Sequence, residues 1–173
     1  KRLDGHSRNV GAIAVSPDGE SLLVCSQEET VREWSLGTAT ELRRYEGHDM
    51  QAQSAAYSRD GVFVATSSNG GDIRIYRRPA RRLVHDISLG VKSRAEAVLL
   101  ADGSLVAASS TGGLWAGPPG GLGILASWPT SAFGVDLATD GAIAIASFGG
   151  TQVFVYDVKR RQALGELKGH QPL

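Results

Sequence analysis

Residues 5–34 read GHSRNVGAIAVSPDGESLLVCSQEETVREW: a Gly-His pair, a short apolar run, a Ser-Pro-Asp-Gly turn, a second apolar run, and a strand-like segment closing on Trp34. The same order returns along the chain. Gly-His recurs at Gly47-His48 and Gly169-His170, and Asp-Gly stands at Asp18-Gly19, Asp60-Gly61, Asp102-Gly103 and Asp140-Gly141. The Asp-Gly pairs step by 42, 42 and 38 residues, and an aromatic (Trp34, Tyr76, Trp115, Tyr156) follows them by 16, 16, 13 and 16. Self-similarity at a period of about 40 residues is the signature of a repeat architecture and outranks any local clue.

Each unit holds four strand-like segments separated by turn residues. In the first, Val10 to Val15 is apolar at both phases of its alternation, which predicts a strand buried on both faces. Pro17-Asp18-Gly19 then reverses the chain: proline presets φ, Asp bonds the local backbone, and Gly accepts positive φ. Ser21 to Ser26, Thr30 to Trp34 and Glu41 to Tyr45 complete an antiparallel meander. The second unit repeats it with Gln53 to Ser58, Val62 to Ser67, Asp72 to Tyr76 and Arg82 to Ser88. The third gives Ala95 to Leu100, Ser104 to Ser109, Gly113 to Ala116 and Leu122 to Trp128. Its Gly117-Pro118-Pro119-Gly120-Gly121 segment makes a loop of the third hairpin, because proline donates no ladder hydrogen bond. The fourth gives Phe133 to Leu137, Ala142 to Ala146, Gln152 to Tyr156 and Ala163 to Leu167. No sustained helical period occurs. A small sheet that is apolar on both faces is unstable alone, and stacking such sheets around an axis covers them. The fold class is therefore all-β: four blades of a β-propeller, about 5–46, 47–89, 90–128 and 129–168, within one domain over 1–173.

Composition narrows the classes further. The chain has 173 residues, 42% hydrophobic and 21% charged, a globular profile rather than a disordered one. Lys plus Arg and Asp plus Glu both count 18, so no global field steers the chain toward nucleic acid or an anionic membrane. Cys25 is the one cysteine, which leaves no internal disulfide and no cysteine-built metal site; a reducing compartment follows, the cytoplasm first and the nucleus as the alternative. No apolar stretch approaches the roughly 20 residues of a membrane-spanning helix. The closing Gly169-His170 is expected to open a fifth unit, so the sequence reads as a section of a longer parent.

Gly5-His6, then Ser16-Pro17-Asp18-Gly19, then Thr30-Val31-Arg32-Glu33-Trp34 resembles the WD-repeat (tryptophan-aspartate repeat) propeller family in motif order and spacing. The likeness covers the whole chain. It is closest in the first unit, good in the second and at the end of the fourth (Tyr156-Asp157, then Gly169-His170), and weakest in the third. Tyrosine replaces the family's tryptophan in units two and four. The resemblance implies a ring of about seven blades, completed by the rest of its own propeller or by a second copy. It also implies a buried hydrogen-bonded set in each blade: the Gly-His histidine, a Ser or Thr on the second strand, an acidic turn residue and the third-strand aromatic. Carried onto this chain, that structural brace is His6, Glu28 and Trp34 in the first unit, with Val24 where a hydroxyl belongs. In the second it is His48, Thr66 and Tyr76, with Gly70 at the acidic position. His170 falls at the same phase, whereas His85 falls outside it and reads as a surface residue.

The resemblance further implies a non-catalytic scaffold that assembles protein complexes by holding proteins or peptides on one rim. On this sequence that rim presents Arg8, Asn9, Glu28, Glu29, Asp49, Gln51, Asn69 and Asp72. Two other classes compete with this one. The runs Arg77-Arg78-Pro79-Ala80-Arg81-Arg82 and Lys159-Arg160-Arg161 make a basic opposite rim that suits nucleic acid, but Asp18, Asp60, Asp102 and Asp140 share it and no aromatics interleave for stacking. A lactonase-type propeller hydrolase needs convergent nucleophile, base or metal ligands. The histidines sit at brace positions instead, and no Gly-x-Ser-x-Gly or His-Glu-x-x-His string occurs. No catalytic residue, metal site or cofactor is expected.

Overall fold

The computed structural model describes residues 2–78, 80, 82–99, 104–118, 121–127, 131–137, 142–148 and 152–168, with backbone alone at 131–137, 142–148, 152 and 168. The turns Asp102-Gly103 and Asp140-Gly141, the pair Gly169-His170, and Pro79, Arg81, Pro119, Gly120 and Trp128 lie outside the described residues.

Sixteen strands form four separate antiparallel sheets, each in simple sequential order. Blade I holds β1 (Val10–Val15), β2 (Ser21–Ser26), β3 (Val31–Ser35) and β4 (Glu41–Tyr45). Blade II holds β5 (Ala52–Tyr57), β6 (Phe63–Ser68), β7 (Asp72–Arg77) and β8 (Arg82–Ser88). Blade III holds β9 (Ala95–Leu99), β10 (Leu105–Ser109), β11 (Gly113–Gly117) and β12 (Gly123–Ser127). Blade IV holds β13 (Ser131–Leu137), β14 (Ala142–Phe148), β15 (Gln152–Asp157) and β16 (Gln162–Lys168). The first strands β1, β5, β9 and β13 neighbour one another from blade to blade, which fans the sheets about a common side as propeller blades do.

Turn chemistry explains why the sheets repeat. Ser16 Oγ donates to Asp18 Oδ1 at 2.5 Å and accepts from the Ser21 N–H at 2.9 Å, while Glu20 N–H bonds Asp18 Oδ1 and Gly19 sits at φ 73°. Ser58, Asp60 and Gly61 repeat every element of this turn, with Gly61 at φ 70°. Serine and aspartate thus satisfy the backbone that the reversal leaves unpaired, and glycine takes the left-handed residue at no steric cost.

Apolar cores lie in the seams between blades. Leu23, Cys25, Val31 and Tyr45 of blade I meet Ala52, Val64 and Tyr76 of blade II. Ala65, Ile73 and Ile75 meet Ala95, Ala97, Leu105 and Ala107 of blade III. Val106, Leu114 and Ala116 meet Tyr156 of blade IV. In blade III the Trp115 ring crosses Gly113 so closely that a Cβ there would stand 2.0 Å from the indole, so only glycine lets this strand start under its own aromatic.

The expectation that β1 is buried on both faces is corrected. Ala12 and Ala14 pack into the I/II seam, but Ile13 is 65% and Val15 57% exposed, because no sheet of the described chain lies against the other face of blade I.

Candidate functional site

Two loop sets define two rims. On one, the connections after β2, β4 and β6 are tied together by Ala52 N–H to Glu28 C=O and Asn69 N–H to Gln51 C=O. On the other, Leu36 N–H bonds Glu20 C=O and Arg78 N–H bonds Val62 C=O. Each rim of blade II repeats that of blade I at an offset of 42 residues.

The brace of blade II is complete in a different composition from the one read off the sequence. His48 Nδ1–H donates to Asp72 Oδ2, so the ring's Nε2 is the acceptor and takes the Thr66 hydroxyl proton at 2.7 Å. Ser68 Oγ donates to the other oxygen of Asp72 and accepts from Gly70 N–H at 2.9 Å. Asp72, assigned above to the partner rim, is therefore the brace's acid, and Gly70 leaves room for it. Burial raises the Asp72 carboxyl, but the hydrogen bond from Ser68 and the neighbouring His48 outweigh it and hold it below its usual range. Tyr76 stands beside this set without bonding His48: its hydroxyl donates to the Glu46 carbonyl at 2.6 Å, and burial pushes its ionisation up to about 12.

Blade I keeps the residues and loses the bonds. His6 and Trp34 are neighbours, ring centroids 6.2 Å apart, yet neither His6 nitrogen nor Trp34 Nε1 has a hydrogen-bond partner among the described residues. Val24 stands where Thr66 supplies its hydroxyl. Glu28 lies 3.5 Å from His6 Nδ1, but its carboxylate is occupied by Ser7 N–H at 2.6 Å, Ser7 Oγ at 2.8 Å and Arg32 at 3.0 Å. Burial raises Glu28, and those three donors more than offset it, bringing the carboxyl to about 2. Desolvation, with Arg32 beside it, lowers the His6 pKa.

A buried cluster that sequence reasoning missed joins the two blades. Glu33, 0% exposed, accepts from Tyr45 OH at 2.6 Å and from Arg78 Nε at 2.7 Å, with Arg43 at 3.2 Å and Tyr57 OH at 3.3 Å. Arg78 also donates to Ser21 Oγ at 2.9 Å and lies over the Tyr57 ring, 5.0 Å from its centroid. Burial pushes Tyr45 and Tyr57 upward in pKa, and the adjacent carboxylate adds to it. Aligning the units would have exposed this cluster: the residue before each third-strand aromatic is Glu33, Ile75, Leu114 and Val155, one charge in an apolar column.

The remaining rim residues divide. Glu28 and Asp72 are drawn into the blades, and Asn69 Nδ2 donates to Gln51 Oε1 at 2.9 Å. Arg8, Asn9, Glu29 and Asp49 are exposed, as is Met50 between them at 47%. On the opposite rim Arg78 is consumed by Glu33, and Arg160 pairs with Asp157 at 3.2 Å, which removes two cations from the basic runs. His85 is half-buried opposite Ile75 on the outermost strand of blade II. Among the described residues no three His, Cys, Asp or Glu side chains are grouped to hold a metal, and no helix is long and apolar enough to cross a membrane.

The sequence profile "WD domain, G-beta repeat" matches residues 1–35 and 39–77, which are blade I with its preceding segment and the first three strands of blade II. Coronin-7 of Mus musculus is 28% identical over 174 residues, covering 90% of this chain and 18% of that protein. Apoptotic protease-activating factor 1 of Rattus norvegicus is 30% identical over 80 residues, 46% of this chain and 6% of its own length. The chain thus spans less than a fifth of either relative. Among solved structures, U3-55K aligns at TM-score 0.86 and 16% identity, covering 98% of this chain and 54% of that one; this likeness concerns the fold. WD40 repeats are thus detected over residues 1–77, and the four sheets throughout share the blade architecture of WD40 propeller structures.

Proposed function

We propose that this chain is a non-catalytic platform that helps assemble a multiprotein complex by holding a protein or peptide partner on the rim formed by Arg8, Asn9, Glu29, Asp49 and Met50. WD40 repeats serve generally as interaction scaffolds, and the family carries no catalytic assignment. One observation supports this rim above the other: its three loops leave mixed charges and a methionine exposed, and none of these five side chains is withdrawn into a brace. Mixed charge with an adaptable apolar centre suits a polar peptide with one aliphatic anchor. The lone buried Cys25 is in keeping with a reducing compartment, the cytoplasm or the nucleus.

A photo-crosslinking residue placed at Met50, and separately at Thr40 on the opposite rim, tests the reading in cells that make the full-length protein. Crosslinks to protein should form from position 50 and be lost with Asp49→Lys. Crosslinks confined to position 40, or to nucleic acid, would sink the proposal.

A further inference from the structure

Between the outermost strand of blade I and the outer strands of blade II lies a cleft of about 750 Å³. One wall is β4, whose Glu41, Leu42, Arg43 and Arg44 line it in unbroken succession. Side chains of a strand alternate between its two faces, so a cleft that touches every residue runs along the strand's edge. That edge is open. β4 pairs with β3 on its other side, and among the described residues no backbone group of 41–45 bonds anything beyond β3. The facing wall is the side of β7 and β8 turned toward blade I, with Arg74, Tyr76 and a 43% exposed Leu83.

The same positions one unit earlier show what that facing wall lacks. In blade I Arg32 stands across from Arg44 and Trp34 from Glu41; in blade II Arg74 stands across from Asp86 and Tyr76 from Leu83. Arg32 binds two carboxylates, Nη2 donating to Glu28 at 3.0 Å and Nη1 to Glu41 at 3.2 Å. Arg74 binds one. Its Nε and Nη2 both reach Asp86 Oδ2 at 3.2 Å, Gly70 and Leu83 stand where Glu28 and Glu41 would, and Nη1 has no partner among the described residues. That nitrogen lies against Gly47 of the cleft wall, so near that only a residue without a Cβ fits. Three guanidinium groups (Arg43, Arg44, Arg74) face two carboxylates (Glu41, Glu46) across the cleft, so its balance is basic. Arg43 and Arg44 are engaged by Glu33 and Glu41, which leaves Arg74 to meet an incoming acid.

We infer that this cleft binds an extended acidic peptide segment of a partner protein, which adds to the open edge of β4 as a further strand of blade I and places a carboxylate on Arg74 Nη1. Backbone pairing along β4 supplies affinity that is indifferent to sequence. The charge-assisted bond to Arg74 supplies the selectivity, and an aliphatic side chain two residues from the acid, on the same face of the added strand, covers Leu83. The cleft lies along the side of the blades, apart from the rim proposed above, and neither reading depends on the other.

Fluorescence polarisation with the full-length protein tests it, using fluorescein-labelled peptide pools of about eight residues. Val, Ile and Thr fill the positions around a fixed centre, which is Glu in the first pool, Gln in the second, and Glu flanked by two prolines in the third. The Glu pool should bind at least about tenfold more tightly than the Gln pool, and the proline pool should not bind, because proline donates no ladder hydrogen bond. Leu83→Glu supplies within the chain the carboxylate that Glu41 gives Arg32, so it should erase the preference for Glu over Gln. Leu83→Gln, similar in size and uncharged, should keep that preference, with circular dichroism melts to verify that both variants fold. Equal binding of the Glu and Gln pools, undiminished binding of the proline pool, a preference that survives Leu83→Glu or is lost in Leu83→Gln, or no binding at about 100 μM would each overturn the inference.

Discussion

Blades I and II are built on one plan at an offset of 42 residues, yet they place their buried polar groups in opposite locations. Blade II turns its polar chemistry inward: His48 is held by Asp72 and Thr66, and its outward column residue is the aliphatic Ile75. Blade I turns it outward: His6 has no hydrogen-bond partner among the described residues, while Glu33 collects Arg43 and Tyr45 of its own blade and Arg78 from across the seam. The difference teaches that a repeat needs some device to fix its third strand, and that either a brace within the blade or a latch between blades serves.

The latch is the place to break that comparison with the largest effect. Glu33→Ala strands two guanidinium groups and a phenol in a dry seam, and removing one partner of such a pair costs about 3–5 kcal/mol. Urea denaturation of the variant should show that loss. A loss below about 1 kcal/mol would mean that water reaches the seam and that blade I depends on its apolar contacts alone.

How much of this was legible in the sequence follows from where the periodic signal lives. Strand positions were legible nearly residue by residue, because most are bounded by Gly, Pro or Asp turns; even β11 and β12 of the irregular third blade fall within two residues of their expected ends. The partners of the brace were less so. Asp72 opens a strand and reads as a rim residue until the fold brings it onto His48, whereas Gly70 occupies the expected phase and contributes no acid, only its N–H to Ser68 and the space beside Asp72. Glu33 was hidden for the opposite reason. Its strand carries adjacent charges, Arg32 and Glu33, that alternation puts on opposite faces, and its partner Arg78 lies 45 residues away in a basic run that resembles a solvated turn. The bare face of β1 was not legible at all from apolar pattern, since alternation reports which residues seek cover and not which neighbours supply it.

A smaller effect separates the two histidines. His48→Ala removes packing and also leaves Asp72 and Thr66 without their shared partner, whereas His6→Ala removes packing and only the long 3.5 Å contact with Glu28, whose carboxylate keeps its other donors. The first should destabilise by about 2 kcal/mol more than the second, the cost of orphaning groups that were bonded. Paired urea melts decide it, and equal losses would mean that the blade II bonds do no more for the fold than the unbonded ring of blade I.

The smallest expected change is the sharpest, because its sign carries the answer. Val24 is 5% exposed and sits where Thr66 bonds the histidine in blade II. Val24→Thr inserts a hydroxyl into a dry site, which costs about 1–3 kcal/mol if nothing there can bond it. If the blades are equivalent in geometry, His6 Nε2 and Trp34 Nε1 are the acceptor and donor that the new hydroxyl needs, and each now lacks a partner. The substitution should then stabilise by about 0.5–1.5 kcal/mol, and Val24→Ser should retain part of the gain despite its lost methyl group. Destabilisation by both would show that His6 and Trp34 are turned too far from position 24 to be bridged, and that blade I lacks more of the brace than a single hydroxyl.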